Sequence, residues 1–344
     1  MSPITRANIP GELQNALNAG NLPKAEHILN RYYPSLATNL KYGRCKPLQL
    51  KKKIRIQATQ LPYLLFQVSS SADDSAIVYQ GALDLAAAQQ WPIFGLLAYH
   101  AHLQELDTPL DQFYLHVGDC HDGTEPVWTA CSNQAAHRLI PDSEFLGSRG
   151  YQGVSRALSK NPLPFLERQN VLFWRGGVNC REEDSFPWTR NPRLALCQVV
   201  SELESPLMTD VKVVGIEYIY QRSEDQIEIN NAAIVGQSCP VYSFQKYKYH
   251  LDIDGYSNAW SGLFTKLMMG CVIFKIQSPG GYRQWYYDLL VPFVHYIPVK
   301  SDLSDLGERI DWALQNEDAC IKISNQSRDL SLKIIDDTII NRKS

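Results

Sequence analysis

Hydrophobic and polar positions divide the chain into stretches of different period. Residues 8–33 read as two short helices: Pro10-Gly11 opens the first, and Asn21-Leu22-Pro23 starts a second with Ala25, Ile28 and Leu29 on one face. From residue 53 the period falls to two, since Lys53-Ile54-Arg55-Ile56-Gln57 alternates as a half-buried strand does. Tyr63-Leu64-Leu65-Phe66-Gln67-Val68 is a second strand, and residues 81–90 and 93–106 read as helical. Phe113-Tyr114-Leu115-His116-Val117 then runs as a strand into Gly118-Asp119, and residues 136–142 form another that ends at an acid. Glycines and prolines between 146 and 170 mark a connection between domains.

Beyond it, strands and helices alternate. Val171–Trp174, Val211–Gly215, Tyr247–Ile253, Val272–Ile276 and 293–297 are short apolar runs. The pattern places helices at 191–203, from a Ser257-Asn258 cap to Met269, and at 282–290. Such alternation predicts an α/β fold with a parallel sheet covered on both faces, whose ligands sit at the carboxyl ends of the strands.

Composition narrows the field. The chain has 344 residues, enough for about two domains at roughly 100–200 residues each. Its 33 basic and 36 acidic residues leave a net charge of −3, so a large basic excess for nonspecific nucleic-acid binding is absent. The local basic run Lys51-Lys52-Lys53 with Arg55 reads either as a solvated strand start or as a contact for anionic headgroups. The eight cysteines form no CxxC pair and are irregularly spaced, which speaks against a zinc ribbon and a small disulfide scaffold. No signal-peptide run opens the sequence and no apolar stretch is long enough to span a bilayer, so a reducing cytoplasm is expected.

Three loops at strand ends could carry chemistry. Trp174-Arg175-Gly176-Gly177-Val178-Asn179-Cys180-Arg181 joins a glycine pair to two guanidinium groups, and Arg193 lies in the first turn of the next helix. That set suits a phosphate, or is a tight turn with surface arginines. Asp252-Ile253-Asp254-Gly255 has DxD spacing, so a metal site stands beside a structural acid. Asp119 is a general base, part of a metal cluster with His121 and Asp122, or a turn residue.

Phe173-Trp174-Arg175-Gly176-Gly177, Asn191-Pro192-Arg193, Tyr247–Gly255, Ala259-Trp260-Ser261-Gly262, Trp285-Tyr286-Tyr287 and His295-Tyr296-Ile297-Pro298-Val299, followed by Asp302–Leu306, occur in this order. In that order and number the motifs resemble the CAP10-like glycosyltransferases, glycosyltransferase family 90, strongly over about residues 170–325 and thinly over 60–150. The resemblance implies a GT-B architecture, two Rossmann-like domains facing across a cleft. The expected bounds are a helical extension at 1–50, an acceptor domain at 51–165, a nucleotide-sugar domain at 166–325 and a C-terminal helix at 326–344 that crosses back to the first domain.

It further implies inverting transfer from a UDP-sugar, with no metal or other cofactor required, to a hydroxyl of a glycan or lipid-linked glycan such as lipopolysaccharide. The expected setting is the cytoplasm, with peripheral contact at the inner membrane. Asp119 takes the family's general-base role. The donor is expected on Arg175, Gly176, Gly177, Arg181, Arg193, Asp254, Gly255, Trp260, Ser261 and Gly262, with Tyr296 and Pro298 at uracil. Animal members carry a diphosphate-contacting arginine where this chain has Ser261, so Arg181, Lys266 or helix N-terminal amides are the expected substitutes. A metal-dependent hydrolase built on Asp119, His121 and Asp122, or a glycan-binding protein without turnover, remain the alternatives.

Overall fold

The structure is a computed structural model that describes residues 11–19, 21–32, 50–62, 64–81, 91–106 and 109–340. Most of the helix expected at 81–90, parts of the 1–50 extension and Cys45 lie outside the described residues. The chain divides into two compact units, residues 1–156 with 335–344, and residues 157–334.

The first unit begins with α1 (Gly11–Asn18) and α2 (Leu22–Tyr32), which bury Leu13, Ala16, Ala25, Ile28 and Leu29. Its strands are β1 (Lys53–Ala58), β2 (Leu65–Ser70), β3 (Ala76–Gly81), β4 (Phe113–His116), β5 (Trp128–Thr129), β6 (Cys131–Ser132) and β7 (Arg138–Leu139). Its helices continue with α3 (Trp91–Leu103) and α4 (Ser143–Gly147), and α5 (Gln152–Lys160) leads into the second unit. Six of the strands form a sheet in the order β1-β3-β2-β4-β5-β7. β2 runs antiparallel to both β3 and β4, so this sheet is mixed. A plain Rossmann sheet, as expected from the resemblance, would be parallel throughout. The reason is local: only Ser71–Ser75 separates β2 from β3, room for a hairpin turn but not for a crossover helix.

β1 is the sheet edge, and α2 supplies its missing hydrogen-bond partners. Asn30 accepts from Ile54 N at 2.8 Å and donates to Ile54 O at 3.0 Å, while Glu26 accepts from Ile56 N at 2.8 Å. The nearby basic run is partly neutralised, because Lys51 pairs with Glu105 and Lys52 with Asp74. Residues 136–142 yield only the two-residue β7, because Asp142 leaves the strand to cap α4 through Phe145 N.

The second unit holds β8 (Gln169–Gly176), β9 (Met208–Val213), β10 (Tyr247–Asp252), β11 (Val272–Ile276), β12 (Arg283–Gln284) and β13 (Ile297–Val299). Five of these form a sheet in the order β13-β11-β10-β8-β9, parallel throughout as the alternation predicts. Lys248 through Asp252 of β10 are all buried, as befits a strand covered on both faces. The helices are α6 (Pro192–Glu202), α7 (Ser223–Asn231), α8 (Ser261–Met268), α9 (Leu306–Gln315) and α10 (Glu317–Ile335). Leu194, Leu196 and Val200 of α6 and Ile310 and Ala313 of α9 join Leu172, Leu251, Phe274 and Ile297 in one core.

Three local expectations fail in this unit. Residues 282–290 form no helix but β12 and a single 3-10 turn at Tyr287–Leu289, since three successive aromatics pack ring against ring instead. The strand expected at 293–297 starts only at Ile297, because Phe293 turns at φ 59°. α8 starts at Ser261 rather than just after Ser257-Asn258, because Asn258 bonds the backbone of Trp260, which sits at φ 48°.

Candidate functional site

The parallel strands end together, and their loops enclose a cavity of about 360 Å³. Ile253, Asp254, Gly255, Tyr256 and Ser257 follow β10, Gln277 to Gly280 and Tyr282 follow β11, and Asp302 follows β13. Arg181 reaches it from the loop after β8, and Pro192 and Ala195 from the start of α6. Asn191 fixes that start, accepting from Arg193 N and Leu194 N with Pro192 in the first turn.

Several cations that the sequence offered to a diphosphate have other work. Arg175 turns toward β9: its Nη2 lies 2.6 and 2.8 Å from the Asp210 carboxylate oxygens, and its Nη1 donates to the carbonyls of Asp210 and Trp174. Lys266, expected as a stand-in for the family arginine, is buried on α8. There it donates to Asp252 Oδ1 at 2.9 Å and to Leu251 O at 2.8 Å. Its charge is spent on neutralising Asp252, itself 1% exposed. In both, an acid on a neighbouring element pairs with the cation.

Arg193 is a strut. Its guanidinium donates to Gly177 O (3.0 Å), Asp254 O (3.0 Å) and Ile253 O (3.4 Å), tying the loop after β8 to the loop after β10. Burial lowers its pKa. Gly255 permits this approach, since a Cβ there would stand 2.7 Å from Arg193 Nη2. Arg181 is the only basic side chain lining the cavity among the described residues. Its guanidinium lies 5.1 Å from the Tyr256 ring centre and 4.9 Å from that of Tyr282, whose hydroxyl accepts from it.

Against that one cation stand Asp184, Asp254 and Asp302. Burial pushes the Asp254 carboxyl up to about 6, against the pull of the Ser278 hydroxyl and of Lys275. Asp252 and Asp254 do not act as a pair, because Lys266 holds one while the other lines the cavity. Gly176 ends β8 and Gly177 follows it, with its carbonyl held by Arg193, and Trp260, Ser261 and Gly262 form the start of α8. Tyr296 and Pro298, expected at uracil, are not on the cavity lining: Tyr296 O is taken by Phe293 N, and Pro298 lies within β13. Ser278, Asp302 and Tyr256 were not singled out as site residues, although the carboxyl-end rule points to their loops.

In the first unit, Asp119 is exposed just beyond β4. Under it the His116 ring packs on Gly118, where a Cβ would stand 2.5 Å from His116 Cε1. Burial takes the His116 pKa down to about 4. His121 stands 5.2 Å from the His116 ring and bonds Glu125 at 3.1 Å. Among the described residues no three His, Cys, Asp or Glu side chains gather as a metal-binding group.

Comparison with known proteins decides the family. The sequence model described as "Glycosyl transferase family 90" matches residues 124–335, well over half of the 344 residues. The chain belongs to that family. Among proteins similar to this family-90 chain, Protein O-glucosyltransferase 3 of Mus musculus is 32% identical over 234 residues, covering 63% of this chain and 42% of that protein. Protein O-glucosyltransferase 2 of Danio rerio is 42% identical over 236 residues, covering 64% and 43%. "Uncharacterized protein 179R" of Invertebrate iridescent virus 6 is 44% identical over 87 residues, covering 24% and 7%. The family-90 chain thus spans less than half the length of each of these relatives. A solved C-terminal domain of a glycosyl transferase group 1 family protein from Francisella tularensis covers 52% of the chain and 90% of itself at 10% identity, with a TM-score of 0.31. Among the described residues no helix is long and apolar enough to cross a membrane.

Proposed function

We propose that this chain transfers a sugar from a UDP-sugar to an acceptor hydroxyl, with inversion and without a required metal ion. The observation that carries the reading is the cavity itself: in a family-90 chain it stands at the carboxyl ends of parallel strands, with one guanidinium among carboxylates and apolar walls. Carboxylates accept hydrogen bonds from ribose or sugar hydroxyls and repel phosphate. The hydroxyl-rich part of the donor therefore belongs against Asp254 and Asp302, and the diphosphate toward Arg181. As the glycosidic bond breaks, negative charge collects on the departing UDP, and Arg181 stabilises it in surroundings partly shielded from water.

Asp119 is proposed as the base that takes the acceptor proton, a role worth about 10²–10⁴ in rate. The GT-B arrangement belongs to the same proposal. So do a glycan acceptor such as lipopolysaccharide and a cytoplasmic site of action with peripheral membrane contact. A protein hydroxyl is the second acceptor reading, favoured by relatives named as protein O-glucosyltransferases.

The test joins calorimetric titration of UDP into the full chain with release of UDP from a panel of UDP-sugars. UDP binds, at least one UDP-sugar turns over, and EDTA leaves turnover intact. In Asp119→Asn turnover falls about 100-fold or more while UDP affinity holds. Turnover abolished by EDTA with no UDP binding would favour the hydrolase instead, and glycan binding without UDP release would favour a nonenzymatic protein.

A further inference from the structure

The cavity-lining loop 253–260 is held at both ends, and only the near end is explained by residues already assigned to the donor. There Arg193 grips the carbonyls of Ile253 and Asp254. At the far end stands Trp260, whose φ of 48° and ψ of −132° suit glycine far better than a side chain with a Cβ. Three hydrogen bonds keep it there. Trp260 N donates to Asn258 Oδ1 at 2.8 Å, and Gln284 Nε2 donates both to Asn258 Oδ1 at 2.6 Å and to Trp260 O at 3.2 Å. Within the loop, Gly255 N reaches Asn258 O at 3.4 Å.

Gln284 and Asn258 are 3% and 1% exposed. Gln284 Oε1 and Asn258 Nδ2 have no hydrogen-bond partner among the described residues, where the side-chain bonds these two amides make serve this corner. A buried amide with one end unmatched is costly, and apolar packing would be cheaper unless the corner matters.

We propose that Gln284 is a positioning residue for the donor. By donating to Asn258 and Trp260 it fixes the strained corner, and with it the placement of Asp254, Gly255 and Tyr256 on the cavity wall. This rests on the reading of the cavity as the donor site. Gln284 itself does not line the cavity, so its effect passes through the loop. Without its N–H the backbone of Trp260 relaxes toward φ below zero, and the loop populates arrangements that do not fit the donor. Because the ground state and the transition state use the same cavity wall, the loss appears in donor binding and not in the chemical step.

The experiment compares the full-length wild type with Gln284→Met, of similar length and without a donor, and with Gln284→Glu, of the same shape but a carboxylate that only accepts. Circular dichroism checks folding, calorimetry gives the Kd for UDP, and UDP release from UDP-glucose gives KM and kcat. Both variants fold, Kd and KM rise together by about tenfold or more, and kcat stays within about twofold. Unchanged Kd in folded variants overturns the inference while leaving the donor cavity standing, as does a fall in kcat at constant KM. Failure of both variants to fold assigns Gln284 to stability alone and also overturns it. If the wild type does not bind UDP, the donor reading falls and takes this inference with it.

Discussion

Asp254→Asn tests the electrostatics of the cavity most directly. Its carboxyl has an ordinary value of 3.8 and sits at about 6, with burial as the leading cause and Asp252 adding repulsion. The folded protein therefore holds this proton about a hundredfold more tightly than the unfolded chain does. At about 1.36 kcal/mol per tenfold, charging the buried carboxyl costs up to roughly 3 kcal/mol of stability at neutral pH. The sign follows from proton counting. Between pH 4 and 6 the folded state binds the extra proton, so wild-type stability falls as pH rises through that window and is flat above it. Asparagine has no proton to lose. Thermal melts from pH 4 to 8 therefore start together, and by pH 7 the variant melts higher by on the order of 5–10 °C. Parallel curves across the range would refute the burial argument, and a variant less stable at pH 7 would mean that Arg193 and Lys275 favour the charged form more than burial opposes it.

The cations of the second unit give the remaining predictions. Lys266→Met strands the Asp252 carboxylate in the core and costs about 3–5 kcal/mol in urea unfolding, most of it recovered when Asp252→Asn is added; a cost below about 1 kcal/mol would contradict the buried pair. Arg181→Ala weakens UDP binding about tenfold or more, whereas Arg175→Ala leaves it within about twofold, because Arg175 faces Asp210. Equal losses in the two variants, read by calorimetry, would put Arg175 back at the ligand.

Where the strands run was legible, and where the cations point was not. Val171–Trp174 and Val272–Ile276 are largely apolar, while Tyr247–Asp252 alternates apolar positions with Lys248, His250 and Asp252; all three are central strands of the parallel sheet. Asn191-Pro192 announced α6 because a cap and a first-turn proline are local chemistry. Arg175 and Lys266 carried the right charge at the right spacing, but their direction depends on Asp210 and Asp252, brought near by the fold. The start of α8 was misjudged for a related reason: Asn258 looked like a helix cap, yet it serves a tryptophan in a conformation no propensity suggests. In the first unit, Ala76–Gly81 was not read as a strand, so the hairpin through Ser71–Ser75 that makes the sheet mixed was missed.

Asn30 and Glu26 have a consequence beyond local hydrogen bonding. With two side chains they imitate the neighbour that β1 lacks, so a helix finishes the sheet without adding a strand to it. A truncation beginning at residue 50 would uncover a ribbon edge with the amides of Ile54 and Ile56 unmet, a ready template on which a second molecule could continue the ladder. Loss of α2, which bonds that edge among the described residues, is expected to favour pairing between copies.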